Sequence, residues 1–95
     1  MSYNREKIIE ANPDTYMWDD MDEAIVGISD DGRVIYDIYK MECLVYNENK
    51  TNMTFEEAVE WVEFNVLSAY LGDFTPIHIW TIPTKGFWGH QQKNR

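Results

Sequence analysis

Two runs rich in β-branched residues, separated by turn residues, constrain the fold of this 95-residue chain more than any other feature. The runs cover residues 24–29 and 33–37, and Asp30-Asp31-Gly32 lies between them. Glycine adopts a positive φ without steric strain, which short hairpin turns require. The pattern therefore predicts a β-hairpin, and a hairpin needs further elements to bury its apolar side.

Helices are predicted on both sides of the hairpin. Residues 4–11 favour a short N-terminal helix that ends before Asn12-Pro13, because proline disfavours helical geometry in the residue before it. After the hairpin, Asp37 is a suitable N-cap for a helix over residues 38–47. The apolar side chains of that segment fall on one helical face, as packing against a sheet requires.

A capping box opens the next predicted helix. Thr54 and Glu57 have the spacing of this motif, and the helix is predicted to run to about Leu71. Gly72 is placed to end it in the left-handed conformation. A third strand is predicted from Ile77 to Ile82.

The predicted order is β-β-α-α-β, preceded by the short helix, and the fold class is α+β. Two helices packed on one face of a small three-stranded sheet are the simplest arrangement of these elements. We expect a single domain over residues 1–83 and a basic, aromatic tail over residues 84–95.

Strict alternation predicts which side chains share a face of the hairpin. It places Ala24, Val26, Ile28, Val34 and Tyr36 on one face, and Ile25, Gly27, Arg33 and Ile35 on the other. Neither face is polar, whereas a sheet with one face in water alternates cleanly. We therefore expect the N-terminal segment, the tail or a second copy of the chain to cover the second face.

The charge is unevenly placed along the chain. All seventeen acids lie between Glu6 and Asp73, which gives residues 1–83 a net charge of −12, while the last twelve residues carry +3. A body this negative repels phosphate backbones, so direct nucleic-acid binding is not expected. The charge favours basic protein surfaces, or serves solubility.

Cysteine usage and hydropathy indicate a reducing compartment. The single cysteine, Cys43, excludes an internal disulfide, and no apolar run has the length of a signal peptide or a membrane span. We expect a cytoplasmic protein without a membrane partner, located in the host cytoplasm if a phage encodes it.

Residues suited to catalysis or metal binding are few. The acidic run from Asp19 to Glu23 resembles a cation site in composition only, since the glycine and distal glutamate of a calcium loop are missing. His78, His90 and Cys43 have no neighbours at zinc spacing, and a catalytic pair of His78 and Cys43 would require the two to meet in space. We expect no cofactor and no enzymatic activity.

Exposed rings and carboxylates are the candidate partner-binding residues. Glu56, Glu60 and Glu63 fall on one helical side, either as a negative stripe for a partner or as an ordinary solvated face. Tryptophan anchors protein interfaces disproportionately, and this chain has more large rings than a small core can hide. The full set of candidates is Trp18, Glu56, Glu60, Trp61, Glu63, Trp80, Phe87 and Trp88.

A second set of residues is predicted to have structural roles. It consists of Gly32, Thr54, Glu57, Asn65 and Gly72. Asn65 lies near the buried side of its helix, where its amide is predicted to hydrogen-bond a strand end or a loop.

Several segments together resemble a family of small uncharacterised proteins of bacteriophages and bacteria. They are DEAIVG at 22–27, VIYD at 34–37, MTFEEAVEW at 53–61 with Phe64-Asn65, and AYLGD at 69–73 with Thr75-Pro76. The resemblance covers roughly residues 20–80 and implies a phage-type accessory protein, without implying any catalytic residue.

These observations favour an adaptor or inhibitor that binds a host or phage protein, including counter-defence or nucleic-acid mimicry. One alternative is a structural homodimer without catalytic activity. Another is a small ligand-binding protein or enzyme that uses His78 and Cys43.

Overall fold

The computed structural model describes residues 5–81, and the predicted tail over 84–95 lies outside them. It confirms the α+β class and the order β-β-α-α-β after a short N-terminal helix. The elements are α1 (Arg5–Ala11), β1 (Ile25–Ile28), β2 (Val34–Asp37), α2 (Ile38–Asn49), α3 (Phe55–Val62) and β3 (Ile77–Ile79). A 3-10 turn over Asp22–Ala24 precedes β1, and a π-helical turn over Glu63–Leu67 follows α3.

The sheet has the order β1-β2-β3, with β2 at its centre. β1 and β2 form the predicted antiparallel hairpin, in which Gly32 has a φ of 88°. β3 lies parallel to β2, and the helical crossover through α2 and α3 supplies the long connection that parallel strands require. The side chain of Arg33 fixes the approach to β3, because its Nε donates to the carbonyl of Thr75 at 2.7 Å.

A bulge in β1 changes the predicted face of one residue. The register shifts between Ile25 and Gly27, so that Ile25 pairs with Tyr36 and Gly27 pairs with Ile35. Between these two pairs β1 has one more residue than β2, which is a β-bulge. The extra residue reverses the alternation of side chains along β1. The prediction that Ile25 lies opposite Tyr36 on the sheet was therefore wrong, and its side chain is buried, with 3% exposed.

The two main helices begin where the capping residues predicted. Asp37 Oδ1 accepts from the backbone N–H of Tyr39 at 2.9 Å. Thr54 Oγ1 accepts from the N–H of Glu57 at 3.1 Å, and Glu57 Oε1 accepts from the N–H of Thr54 at 2.9 Å. Both halves of the capping box are thus formed, which satisfies two N–H groups that the helix itself leaves unpaired.

Helix α3 ends earlier than predicted. Its α geometry stops at Val62, and the chain continues as the π-helical turn to Leu67 rather than as an α-helix to Leu71. Asn65 Nδ2 and Ser68 Oγ donate to carbonyls four residues earlier, and such bonds compete with the helical ladder. Gly72 has a positive φ of 98°, but it lies five residues beyond Leu67 and forms the turn before β3.

The third strand is also shorter than predicted. It ends at Ile79, and Trp80 and Thr81 follow without strand pairing. The predicted end at Ile82 lies outside the described residues. The Thr81 hydroxyl instead donates to Asp37 Oδ2 at 2.9 Å, so Asp37 links the strand end to the start of α2.

The core lies between the helices and one face of the sheet. Val34 and Tyr36 of the central strand have no exposed surface and belong to one cluster with Met41 of α2 and Val62 of α3. Ala58, Val62 and Val66 are buried at i, i+4 and i+8 spacing, so α3 and its π-helical turn pack on this core along one helical face. None of the helices in residues 5–81 has the length and apolar character needed to cross a membrane.

The second face of the sheet carries isoleucines that are not part of this core. Ile35 and its partner Ile77 are half-buried, and Ile79 is 37% exposed. The N-terminal segment, one of the three predicted covers, instead contacts Tyr36 and His78 through Trp18.

Candidate protein-binding surface

Trp18 connects the N-terminal segment to the sheet. Its backbone N–H donates to the Tyr36 hydroxyl oxygen at 2.8 Å, and its indole Nε1–H donates to His78 Nε2 at 3.0 Å. Its carbonyl accepts from Arg5, whose guanidinium also binds Asp22 at 2.9 and 3.2 Å. Trp18 is half-buried against the core, so part of this predicted partner-binding ring is used within the fold.

Two side chains that bind Trp18, those of His78 and Tyr36, are neutral at physiological pH. Burial, with a smaller contribution from the Arg33 charge, lowers the pKa of His78 to about 4. Because His78 Nε2 accepts the indole proton, the ring's own proton resides on Nδ1. Burial also raises the pKa of Tyr36 to about 12. The arrangement joins the N-terminal segment to strands β2 and β3.

Cys43 and His78 do not form a pair. The thiol of Cys43 is hydrogen-bonded to the hydroxyl of Tyr39, and burial raises its pKa. His78 has Trp18 as its hydrogen-bonding partner, so residues 5–81 contain no Cys–His dyad. A thiol with a raised pKa is a weak nucleophile at neutral pH.

A buried acid was missed by the sequence reasoning. Glu42 lies on α2 with no exposed surface, and its charge contributes to the raised pKa values of Tyr39 and Cys43. The helical pattern could have signalled it, because Glu42 lies next to Met41 and four residues after Ile38, both of which are buried.

In the acidic run, Asp19, Asp20 and Glu23 are exposed and Asp22 is half-buried. In the part of the chain that the structure describes, no group of three or more potential ligands is arranged to hold a metal ion. Asp22 is engaged by Arg5, and the Asp20 backbone has a φ of 60°, a conformation that aspartate tolerates better than most residues.

The outward side of α3 and of the π-helical turn that follows it carries exposed rings among carboxylates. Trp61 is 42% exposed and Phe64 is 78% exposed. Glu56, Glu60 and Glu63, the predicted acidic stripe, are also exposed. We call Glu56, Glu57, Glu60, Trp61, Glu63 and Phe64 together the α3 surface.

Sequence reasoning missed Phe64 as a surface ring. It lies two residues from each of Val62 and Val66, which are buried, and two positions correspond to about half a turn of an α-helix. That phase places Phe64 on the outer side, and it could have been read from the sequence. Tyr70, also 78% exposed, lies beyond the π-helical turn, where no helical phase applies.

An open groove adjoins the α3 surface. Its larger part, about 680 Å³, lies between the acidic run and α2, and its smaller part, about 290 Å³, continues to Met53 and Trp61. Asp19, Asp20, Leu44 and Glu48 line both parts. We call this the acidic groove.

The acidic groove combines negative charge with apolar surface. Its larger part is lined by five carboxylates and one guanidinium, a net charge of −4, and the guanidinium of Arg5 is paired with Asp22. Asp19, Asp20, Glu23 and Glu48 are exposed, and no ion pair of theirs occurs within residues 5–81. Leu44 and Met53 are half-buried at the base and pack against the core.

The other residues predicted to bind a partner or to have a structural role do not belong to the α3 surface, and some of them lie outside the described residues. Trp80 is half-buried. Asn65 is exposed, and its amide donates to the Trp61 carbonyl at 3.0 Å within the same helical segment, so the predicted bond to a strand end or loop was wrong. Phe87, Trp88 and His90 lie outside the described residues.

No protein-family model, curated protein or solved structure matches the chain.

Proposed function

We propose that this chain is an acidic accessory domain without enzymatic activity that binds another protein through the α3 surface. The observation that carries the proposal is the exposure of Trp61 and Phe64 beside the predicted acidic stripe. A phage-type adaptor or inhibitor acting on a host or phage protein in the bacterial cytoplasm is consistent with the family that the sequence resembles.

The exposed rings are large enough to anchor an interface but too small to hold one alone. From the areas that aromatic side chains bury, covering both rings would remove roughly 250 Å² of apolar surface from water. At about 25 cal/mol per Å², this contributes about 6 kcal/mol, which is comparable to the cost of association itself. The surrounding carboxylates must therefore add contacts, and they favour a partner with a basic surface.

The test compares two pairs of exposed rings in affinity capture from a bacterial lysate. Trp61→Ser with Phe64→Ser removes the proposed anchors, and Tyr16→Ser with Tyr70→Ser is the matched control, since those tyrosines are 46% and 78% exposed elsewhere. We expect the first pair to lose a crosslinked partner that wild type and control retain, with unchanged circular dichroism. Equal retention by both variants, or no specific partner at low or moderate salt, contradicts the proposal.

A second candidate function is a structural homodimer that pairs the second faces of two sheets. The observation that favours it is the isoleucine surface of Ile35, Ile77 and Ile79, which includes an exposed side chain on an edge strand. Light scattering across a range of concentrations separates the two proposals. A constant mass of 11.3 kDa eliminates the homodimer.

A further inference from the structure

We propose that the acidic groove binds an extended, basic segment of the partner protein, in which arginine or lysine side chains alternate with apolar ones. The inference rests on the proposed function and names the chemistry of the partner. The basic side chains contact Asp19, Asp20 and Glu48, and an apolar side chain packs on Leu44, which lies in both parts of the groove.

The charge of the groove determines the sign of its occupant. With a net charge of −4 in its larger part, it repels phosphates and acidic peptides and attracts cations. A single metal ion does not fit the arrangement, because the described residues contain no group of three suitable ligands. A chain of spaced positive charges matches carboxylates that are distributed along a groove.

The apolar base adds a second requirement. Leu44 and Met53 are half-buried there, and Trp61 also lines the smaller part. An arginine can stack on the exposed indole while its neighbours contact the carboxylates, because a guanidinium is attracted to the face of an aromatic ring. A purely polar polycation would leave the Leu44 surface uncovered, so the alternation of basic and apolar residues follows from the groove itself.

Continuity with the α3 surface connects the groove to the proposed interface. Trp61 belongs to both, and Phe64 lies three residues further along the same helical segment. A partner segment that contacts Trp61 in the groove therefore also lies near the second ring.

The test measures fluorescence anisotropy of a labelled nonapeptide of alternating arginine and leucine, added to the full chain. The groove variant is Asp19→Asn, Asp20→Asn and Glu48→Gln, in which asparagine also tolerates the left-handed backbone at position 20. The control variant is Glu10→Gln, Asp30→Asn and Asp73→Asn, which changes the net charge equally at exposed positions outside the groove.

We expect the groove variant to bind the peptide about 10- to 100-fold more weakly at 150 mM salt, since three exposed charge contacts are lost. The control variant should change affinity less than about 3-fold, because distant charges are screened. Citrulline in place of arginine, or serine in place of leucine, should each weaken binding. Amide chemical shifts on peptide binding should change at residues 19–23 and 44–48.

Three results overturn the inference. They are equal weakening of both variants, no weakening of either, and shift changes confined to the second face of the sheet. If the groove variant still captures the native partner that Trp61→Ser with Phe64→Ser loses, this inference fails and the proposed function stands. If instead the ring variant keeps the partner, the proposed function itself fails.

Discussion

Replacing His78 by glutamine should remove a defined part of the pH dependence of folding. In the structure His78 Nε2 accepts the Trp18 indole N–H, and burial lowers the pKa of the ring to about 4 from its ordinary 6.5. A glutamine side-chain oxygen can accept the same bond but does not titrate. The substitution therefore separates the proton linkage of His78 from its hydrogen bond.

The lowered pKa of His78 determines whether stability rises or falls with pH. Between pH 6.5 and about 4 the unfolded chain binds a proton at His78 that the folded chain does not, so the free energy of unfolding falls as the pH is lowered through this window. At pH 5 the full linkage would be about 2 kcal/mol. Because the ring is only half-buried, solvent screening reduces this, and we expect about 1 kcal/mol.

Urea denaturation of wild type and His78→Gln at pH 7.5 and pH 5.0, followed by circular dichroism, measures the difference. All other ionisable residues are common to the two proteins, so their contributions cancel in the comparison. Wild type should lose about 1 kcal/mol more than the variant between the two pH values, equivalent to about 5 °C in melting temperature. A difference below about 0.3 kcal/mol would refute the assignment of a half-buried, neutral His78 with a lowered pKa.

Three further substitutions test a helix cap and two glycine turns by urea denaturation. Thr54→Ala removes one half of the capping box and should lower the free energy of unfolding by about 1 kcal/mol, and an unchanged midpoint would contradict the capping role. Gly32→Ala should destabilise by more than Gly72→Ala, since both have a positive φ but only at position 32 does the added Cβ collide with the Asn12 amide. The strain common to both is about 1 kcal/mol, and equal losses would show that the contact with Asn12 is unimportant.

The elements predicted correctly are those that neighbouring residues specify. The hairpin turn needs only a glycine with a positive φ, and the helix starts need only Asp37 and Thr54 at their caps. The end of α3 was predicted less well. Gly72 suggested that the helix ends near Leu71, but the α geometry ends upstream of this, where Asn65 and Ser68 hydrogen-bond the carbonyls of the preceding turn. The bulge beside Ile25 likewise depends on pairing with β2, which the local sequence does not encode.

The candidate site was only partly predictable for a related reason. The acidic stripe of Glu56, Glu60 and Glu63 and the exposure of Trp61 follow from helical phase within one segment. The acidic groove instead brings together residues 19–23, Leu44, Glu48 and Met53 from three separate parts of the chain. Its shape depends on how the 3-10 turn packs on α2, and that packing has no signature in the sequence.

Trp18 and Trp61 show why a surplus of rings in a sequence does not identify an interface. Trp18 has its indole N–H bonded to His78, a residue 60 positions away, so both its polar and apolar parts are used within the fold. Trp61 lies on the outer side of a helix whose inner side is already filled by Val62 and Ala58, and 42% of it remains exposed. A ring that remains exposed can contact a partner without any rearrangement of the core. The proposal therefore depends on the exposure of Trp61 and Phe64 and not on the number of aromatic residues.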